Sequence, residues 1–141
     1  MRVKMNRKEA MIELEKGFPE AESVLNDKSK VDRMLEDLEK KLRTLPKVGE
    51  ALSHVPVFIQ LVKCYIKKEY TSIPIASVIA IMSALLYFIL PFDAIPDFIP
   101  FIGHLDDGAV IVACLHLVDH DVKDFIEWRN RYRNNNSMVL E

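Results

Sequence analysis

Ile73-Pro-Ile-Ala-Ser-Val-Ile-Ala-Ile-Met-Ser-Ala-Leu-Leu-Tyr-Phe-Ile-Leu90 runs straight into Pro91-Phe-Asp-Ala-Ile-Pro-Asp-Phe-Ile-Pro-Phe-Ile-Gly-His-Leu-Asp-Asp107. The first half has no formal charge in 18 residues. As a helix it reaches about 27 Å, close to the ~30 Å of a bilayer core but at the lower edge of the transmembrane range. The second half holds four aspartates, three prolines and Gly103. Pro91, Pro96 and Pro100 each fix φ and push the preceding residue away from helix. The chain must therefore turn, with room for a single helical turn around Asp93–Asp97. Gly108–Val118 is apolar again, so the two apolar arms are expected to fold back on one another as a helical hairpin with an acidic elbow.

Outward from this stretch, charge and apolarity are segregated. Half of the 141 residues are hydrophobic and 28% are charged, yet residues 73–118 carry four formal charges, all Asp. A chain of this length forms one domain able to bury about 68% of its unfolded surface. The net charge of −2 argues against nucleic acid as a partner, which calls for a basic field. Lys67, Lys68, Arg129, Arg131 and Arg133 are local basic spots read as solvated surface. Cys64 and Cys114 lack CxxC spacing and read as small hydrophobes in a reducing compartment. Met1–Glu15 is charged and has no apolar core of the kind an export signal requires.

Apolar residues recur at helical spacing throughout, and no alternating run signals a strand. Asn6 is placed to cap a short helix through about Lys16, ended by Gly17-Phe-Pro19. Ser29 is placed to cap an amphipathic helix with Val31, Met34, Leu35, Leu38, Leu42 and Leu45 on one face, stopped by Pro46. The pattern resumes over 48–69, and Pro56 should start or kink the helix near Val55. His54 just before it reads as a capping or surface histidine. Ser72 and Pro74 open the long apolar helix, whose Ala76, Ala80 and Ala84 form a narrow small-residue face. Asp106 or Asp107 caps the last helix, with Ile111, Leu115, Val118, Val122 and Phe125 in one stripe. Asn134–Asn136 marks a frayed end. The expected fold is all-α, divided into amphipathic N-terminal helices over 1–53, the hairpin over 54–128 and a polar tail over 129–141.

Pro91, Asp93, Ile95, Pro96, Asp97, Pro100, Gly103, Asp106 and Asp107 fill every position of the pattern P-x-D-x-I-P-D-x-x-P-x-x-G-x-x-D-D. In this the chain resembles the YkvA-like family, a domain of unknown function, over His54 to about Trp128. The resemblance implies a small membrane-associated protein and leaves the N-terminal third unexplained. It implies no particular activity.

The aspartates have two readings. As helix caps, each contributes about 1 kcal/mol. Alternatively Asp93, Asp97, Asp106 and Asp107, with His104, converge on one site. Oxygen ligands of that kind suit Mg²⁺, Ca²⁺ or Mn²⁺, and neighbouring carboxylates can instead share a proton. His116 and His120 stand at i, i+4 beside Asp119 and Asp121, a spacing that can hold zinc but lacks the Glu of His-Glu-x-x-His and a third ligand. They read as a solvated polar stripe. Neither a phosphate-binding Gly-rich loop nor a nucleophile elbow is present, so no catalytic residue is assigned.

Lys63, Lys67 and Lys68 precede the apolar region and Arg129, Arg131 and Arg133 follow it. By the positive-inside tendency both termini would be cytoplasmic. The favoured function is a non-enzymatic, membrane-associated structural or interaction module with Ile73–Leu90 as a transmembrane candidate. The alternative is a cytoplasmic bundle with Ile73–Leu90 at its centre, covered by Val31–Leu45 and Val48–Ile66 and self-associating as a homo-oligomeric adaptor. A third class is a divalent-cation or ion-handling protein that uses the elbow aspartates.

Overall fold

The computed structural model describes residues 7–44, 53–89 and 107–140. Among these the chain is all-α: α1 (Arg7–Lys16), α2 (Phe18–Leu25), α3 (Lys28–Thr44), α4 (Val55–Ile66), α5 (Ile75–Ile89) and α6 (Asp107–Leu140), with no strand.

Local chemistry sets most of the boundaries. Gly17, expected only to end α1, also occupies the N-cap position of α2, with Pro19 in its first turn. A proline there gives up an N–H that has no intrahelical partner. Asp27, rather than Ser29, caps α3: its Oδ1 accepts from the amides of Ser29 and Lys30 at 3.1 and 3.3 Å. α4 begins at Val55-Pro56, with His54 in the N-cap position but making no side-chain capping bond. Its far end closes as a Schellman turn, in which the amides of Lys68 and Glu69 bond the carbonyls of Tyr65 and Cys64. The left-handed position of that turn is usually glycine; here Lys68 holds it at φ 64°. α6 is helical through Asn134–Asn136 and leaves helical geometry at one internal point, Val118 (φ −115°, ψ 18°).

α5 is the centre of the bundle. The six consecutive residues Ala80–Leu85 are all buried, and six residues exceed one 3.6-residue turn, so every face of the helix is covered there. Its neighbours are chiefly α2 and α6, then α4 and α1. The cover thus comes from α2, α6, α4 and α1: α4 (Val55–Ile66) supplies the share expected of Val48–Ile66, whereas α1 and α2 stand where Val31–Leu45 was expected. α3 instead packs on α2 and α4, burying Val31, Met34, Leu35 and Leu38 of the expected stripe. Phe58, Phe88 and Phe125 are fully buried in the shared core, each worth about 1.5–3 kcal/mol of transfer from water.

The transmembrane expectation for Ile73–Leu90 is not met. Ile73 and Pro74 precede α5, which spans 15 residues, or about 22 Å. Among the described residues no helix is long and apolar enough to cross a membrane.

Candidate functional site

The elbow joins the C-terminal end of α5 to the N-terminal end of α6. Pro91, Asp93, Ile95, Pro96, Asp97, Pro100, Gly103, His104 and Asp106 lie outside the described residues, and Asp107 is the first residue of α6. The readings of these residues as caps or as ligands for a divalent cation therefore fall outside the described residues too.

The arms run antiparallel and are joined by two polar links. Ser77 Oγ, near the start of α5, donates to Asp121 Oδ2 of α6 at 2.5 Å. One turn further along α5, the Ala80 carbonyl accepts from Cys114 Sγ at 3.4 Å. Ala80 and Ala84, two of the three small residues, are completely buried, whereas Ala76 at the helix start is exposed. Burial pushes the Cys114 thiol up to about 12, so it packs as a neutral group.

A third link ties the hairpin to the N-terminus. Ser83, buried on α5, donates its hydroxyl to the carbonyl of Leu14 at 2.6 Å. That carbonyl lies in the last turn of α1, where acceptors lack intrahelical partners, and it also receives the Gly17 amide at 3.1 Å. Gly17 passes so close above Ser83 that a Cβ there would overlap Ser83 Oγ. The glycine is required by contact, since its backbone is right-handed (φ −88°, ψ −3°).

The two histidines do not act together. His116 Nε2 lies 3.3 Å from Arg7 Nη2 on α1, while His120, largely exposed, pairs with Asp124 at 3.3 Å. Asp119 bonds Lys123 and Asp121 bonds Ser77. Among the described residues no group of three or more His, Cys, Asp or Glu is placed to hold a metal ion. An open groove of about 510 Å³ between α3 and α4 is lined by Asp32, Arg33, Glu36, Glu39 and Lys63. Glu39 and Lys63 close it with a 2.6 Å salt bridge, and its charged walls are those of a solvated face.

The end of the hairpin away from the elbow carries a feature the sequence reading missed. Tyr70, from the segment before α5, packs edge-on against Phe125 at 5.2 Å and at a tilt against Trp128 at 5.0 Å. Trp128 in turn stacks on Phe125 at 5.9 Å and on Tyr132 at 5.3 Å. The spacing of Phe125, Trp128 and Tyr132 by three and four residues was the available signal, since it puts them on one helix face. The rings run from full burial at Phe125 to 55% exposure at Tyr132. Burial, then the charges of Asp124 and Asp121, raise the Tyr70 hydroxyl, while Arg131 acts in the opposite sense. Cys64 nearby is raised by burial and by Glu69, against Lys67 and Arg129. Arg129 reaches α4, where its Nη1 donates to Gln60 Oε1 at 2.6 Å.

Residues 77–113 match a family model described as a protein of unknown function, DUF1232. They take in most of α5, the elbow and the start of α6. The chain is also similar, at 26% identity over 80 residues, to the uncharacterized membrane protein YkvA of Bacillus subtilis (strain 168). The aligned part covers 57% of this chain and 76% of that relative. No solved structure matches the chain.

Proposed function

We propose, from the premise that this chain belongs to a YkvA-like family, that it is a non-enzymatic, membrane-associated structural or interaction module. The reading is carried by the similarity of this chain, over 80 residues, to a protein named for the membrane, and it is supported by the match of the hairpin stretch 77–113 to the DUF1232 family model. The helices themselves favour attachment at the surface of the bilayer. α5 is packed by α1, α2, α4 and α6, so Val78, Ala80–Leu85 and Phe88 are already out of water without lipid. Basic residues flank the hairpin on both sides, Lys67 and Lys68 before it and Arg129, Arg131 and Arg133 after it, a charge that the anionic cytoplasmic leaflet attracts, which favours both termini in the cytoplasm. In this arrangement the elbow, with Asp93, Asp97, Asp106 and Asp107, is the part offered to a protein partner.

Fractionation of the untagged protein from its native cell type tests this reading. Sedimentation with membranes, release by alkaline carbonate and no further release by detergent is the expected result. Retention until detergent would replace surface attachment with an embedded hairpin. Recovery in the soluble fraction would refute membrane association. It would favour the second reading, a self-associating soluble adaptor, which the enclosure of Ala80–Leu85 supports.

A further inference from the structure

Membrane association leaves open which surface meets the lipid, and the aromatic end of the hairpin has the chemistry for it. Trp and Tyr concentrate at membrane interfaces because each ring has an apolar body and a polar edge that prefers the headgroup layer. Here Tyr132 stands at the outer edge of the ring stack, more than half exposed, with the partly buried Trp128 directly behind it. Around them the surface is basic. The Schellman turn after α4 presents Lys67 and Lys68, both exposed, two residues before Tyr70. Arg131 and Arg133 flank Tyr132 and are exposed as well. The acids at this end are Asp121, which accepts from Ser77, Asp124, which faces His120 at 3.3 Å, and Glu127, which lies 4.0 Å from Arg131. They leave Lys67, Lys68 and Arg133 without an ion pair among the described residues. Glu69 remains against the bases. In a chain of net charge −2 this end is a local reversal of sign.

We infer that the Tyr70–Trp128–Tyr132 end of the bundle is an interfacial anchor for anionic phospholipid, with Lys67, Lys68, Arg131 and Arg133 on the lipid phosphates. This rests on the reading of the protein as membrane-associated and adds the surface and the lipid class. It also orients the molecule. The anchor lies at the end of the α5–α6 pair away from Ile89 and Asp107, so it sets which end of the two helices faces the lipid. The charge on the cytoplasmic leaflet is of the sign required.

Trp128 is the only tryptophan, so intrinsic fluorescence reports on the anchor itself. The full chain is titrated with vesicles of phosphatidylcholine alone and of phosphatidylcholine mixed with phosphatidylglycerol, with emission and flotation read together. The expected result is binding to the mixed vesicles with a blue shift of Trp128, weakened by salt. Each basic residue near an anionic surface gains about fivefold in partitioning, so combining Lys67→Gln, Lys68→Gln and Arg133→Gln lowers binding about a hundredfold. All three residues are exposed, and an unchanged circular dichroism spectrum confirms the fold of the variant. Flotation with both vesicle types and an unshifted Trp128 overturns the anchor while leaving membrane association standing. Failure to float with either vesicle overturns both. Displacement of the vesicles by a single-stranded oligonucleotide that quenches Trp128 reassigns this end to nucleic acid and overturns the anchor.

Discussion

The contact between Gly17 and Ser83 gives a sharp test of how the N-terminal helices hold the hairpin. In Gly17→Ala the new Cβ overlaps Ser83 Oγ, and the hydroxyl must rotate away from the Leu14 carbonyl. Overpacking costs about 1–3 kcal/mol, and the hydrogen bond adds about 1 kcal/mol. We expect about 2 kcal/mol in total, because the Leu14 carbonyl keeps the Gly17 amide. Ser83→Ala alone loses the bond and should cost about 1 kcal/mol. The double variant is the informative one. With Oγ gone, the nearest side-chain atom to the new methyl is Cβ of residue 83 at 3.6 Å, an ordinary contact. Alanine also suits the right-handed backbone at 17, and lowers the entropy of the unfolded chain, for a gain of about 0.4–1 kcal/mol. Gly17→Ala should therefore change from destabilising to neutral or stabilising once Ser83 is alanine, a coupling of about 2 kcal/mol. Urea unfolding followed by circular dichroism and by Trp128 emission measures all three variants. In a thermal melt, the single Gly17→Ala change corresponds to a loss of about 6 °C. Additive costs within about 0.5 kcal/mol would refute the contact.

Asp27→Ala should destabilise the fold by about 1 kcal/mol and Ser29→Ala by little, since Asp27 holds the cap of α3; equal losses in urea unfolding would contradict that assignment. Lys68→Gly should raise stability by about 1 kcal/mol, because glycine takes the left-handed position at Lys68 without penalty. Alkylation at mildly alkaline pH should label Cys64 well before Cys114, whose thiol is pushed up to about 12, and peptide mapping after denaturation shows whether Cys114 was protected. Cys64, Tyr70 and Cys114 are all shifted upward, so their contribution is intact below the ordinary thiol range. It falls as pH rises through the folded values, because the unfolded chain loses protons that the fold retains. Cys114→Ala should flatten that decline between pH 9 and about 12. For the elbow, a divalent cation held by Asp93, Asp97, Asp106, Asp107 and His104 would raise the melting temperature with added Mg²⁺, Ca²⁺ or Mn²⁺. Asp97→Asn with Asp106→Asn would remove that rise, and a melt unaffected by the ions would leave the aspartates as caps.

The apolar faces were legible in the sequence because helical periodicity records them directly. Val31, Met34, Leu35 and Leu38 are buried as the spacing predicts, as are Ile111, Val118, Val122 and Phe125. Punctuation was legible where one residue dominates, as with Pro56 at the start of α4. It was ambiguous where two signals compete. Gly17 and Pro19 read as a stop, yet the same pair opens α2, an eight-residue helix too short to announce itself by period. Asp27 and Ser29 are both good caps two positions apart, and only the backbone geometry chooses between them. What periodicity does not record is the identity of the neighbour. It marks α5 as apolar all round, but its pairing with α1 joins Ser83 to Leu14 across 69 positions. The ring stack has the same character, since Tyr70 reaches a helix whose own aromatics begin at Phe125. The elbow carried the clearest motif, and of its residues Asp107 alone is among those described.

Ser83 also separates two borders that are easily taken as one. The hydroxyl sits inside the matched stretch 77–113, whereas its acceptor belongs to α1. The stretch matched by the family model and the set of residues packed on α5 thus have different edges. A relative lacking α1 inherits a hydroxyl in the middle of an apolar helix with no acceptor from that direction. It must recruit another carbonyl to that place or exchange the serine for an apolar residue.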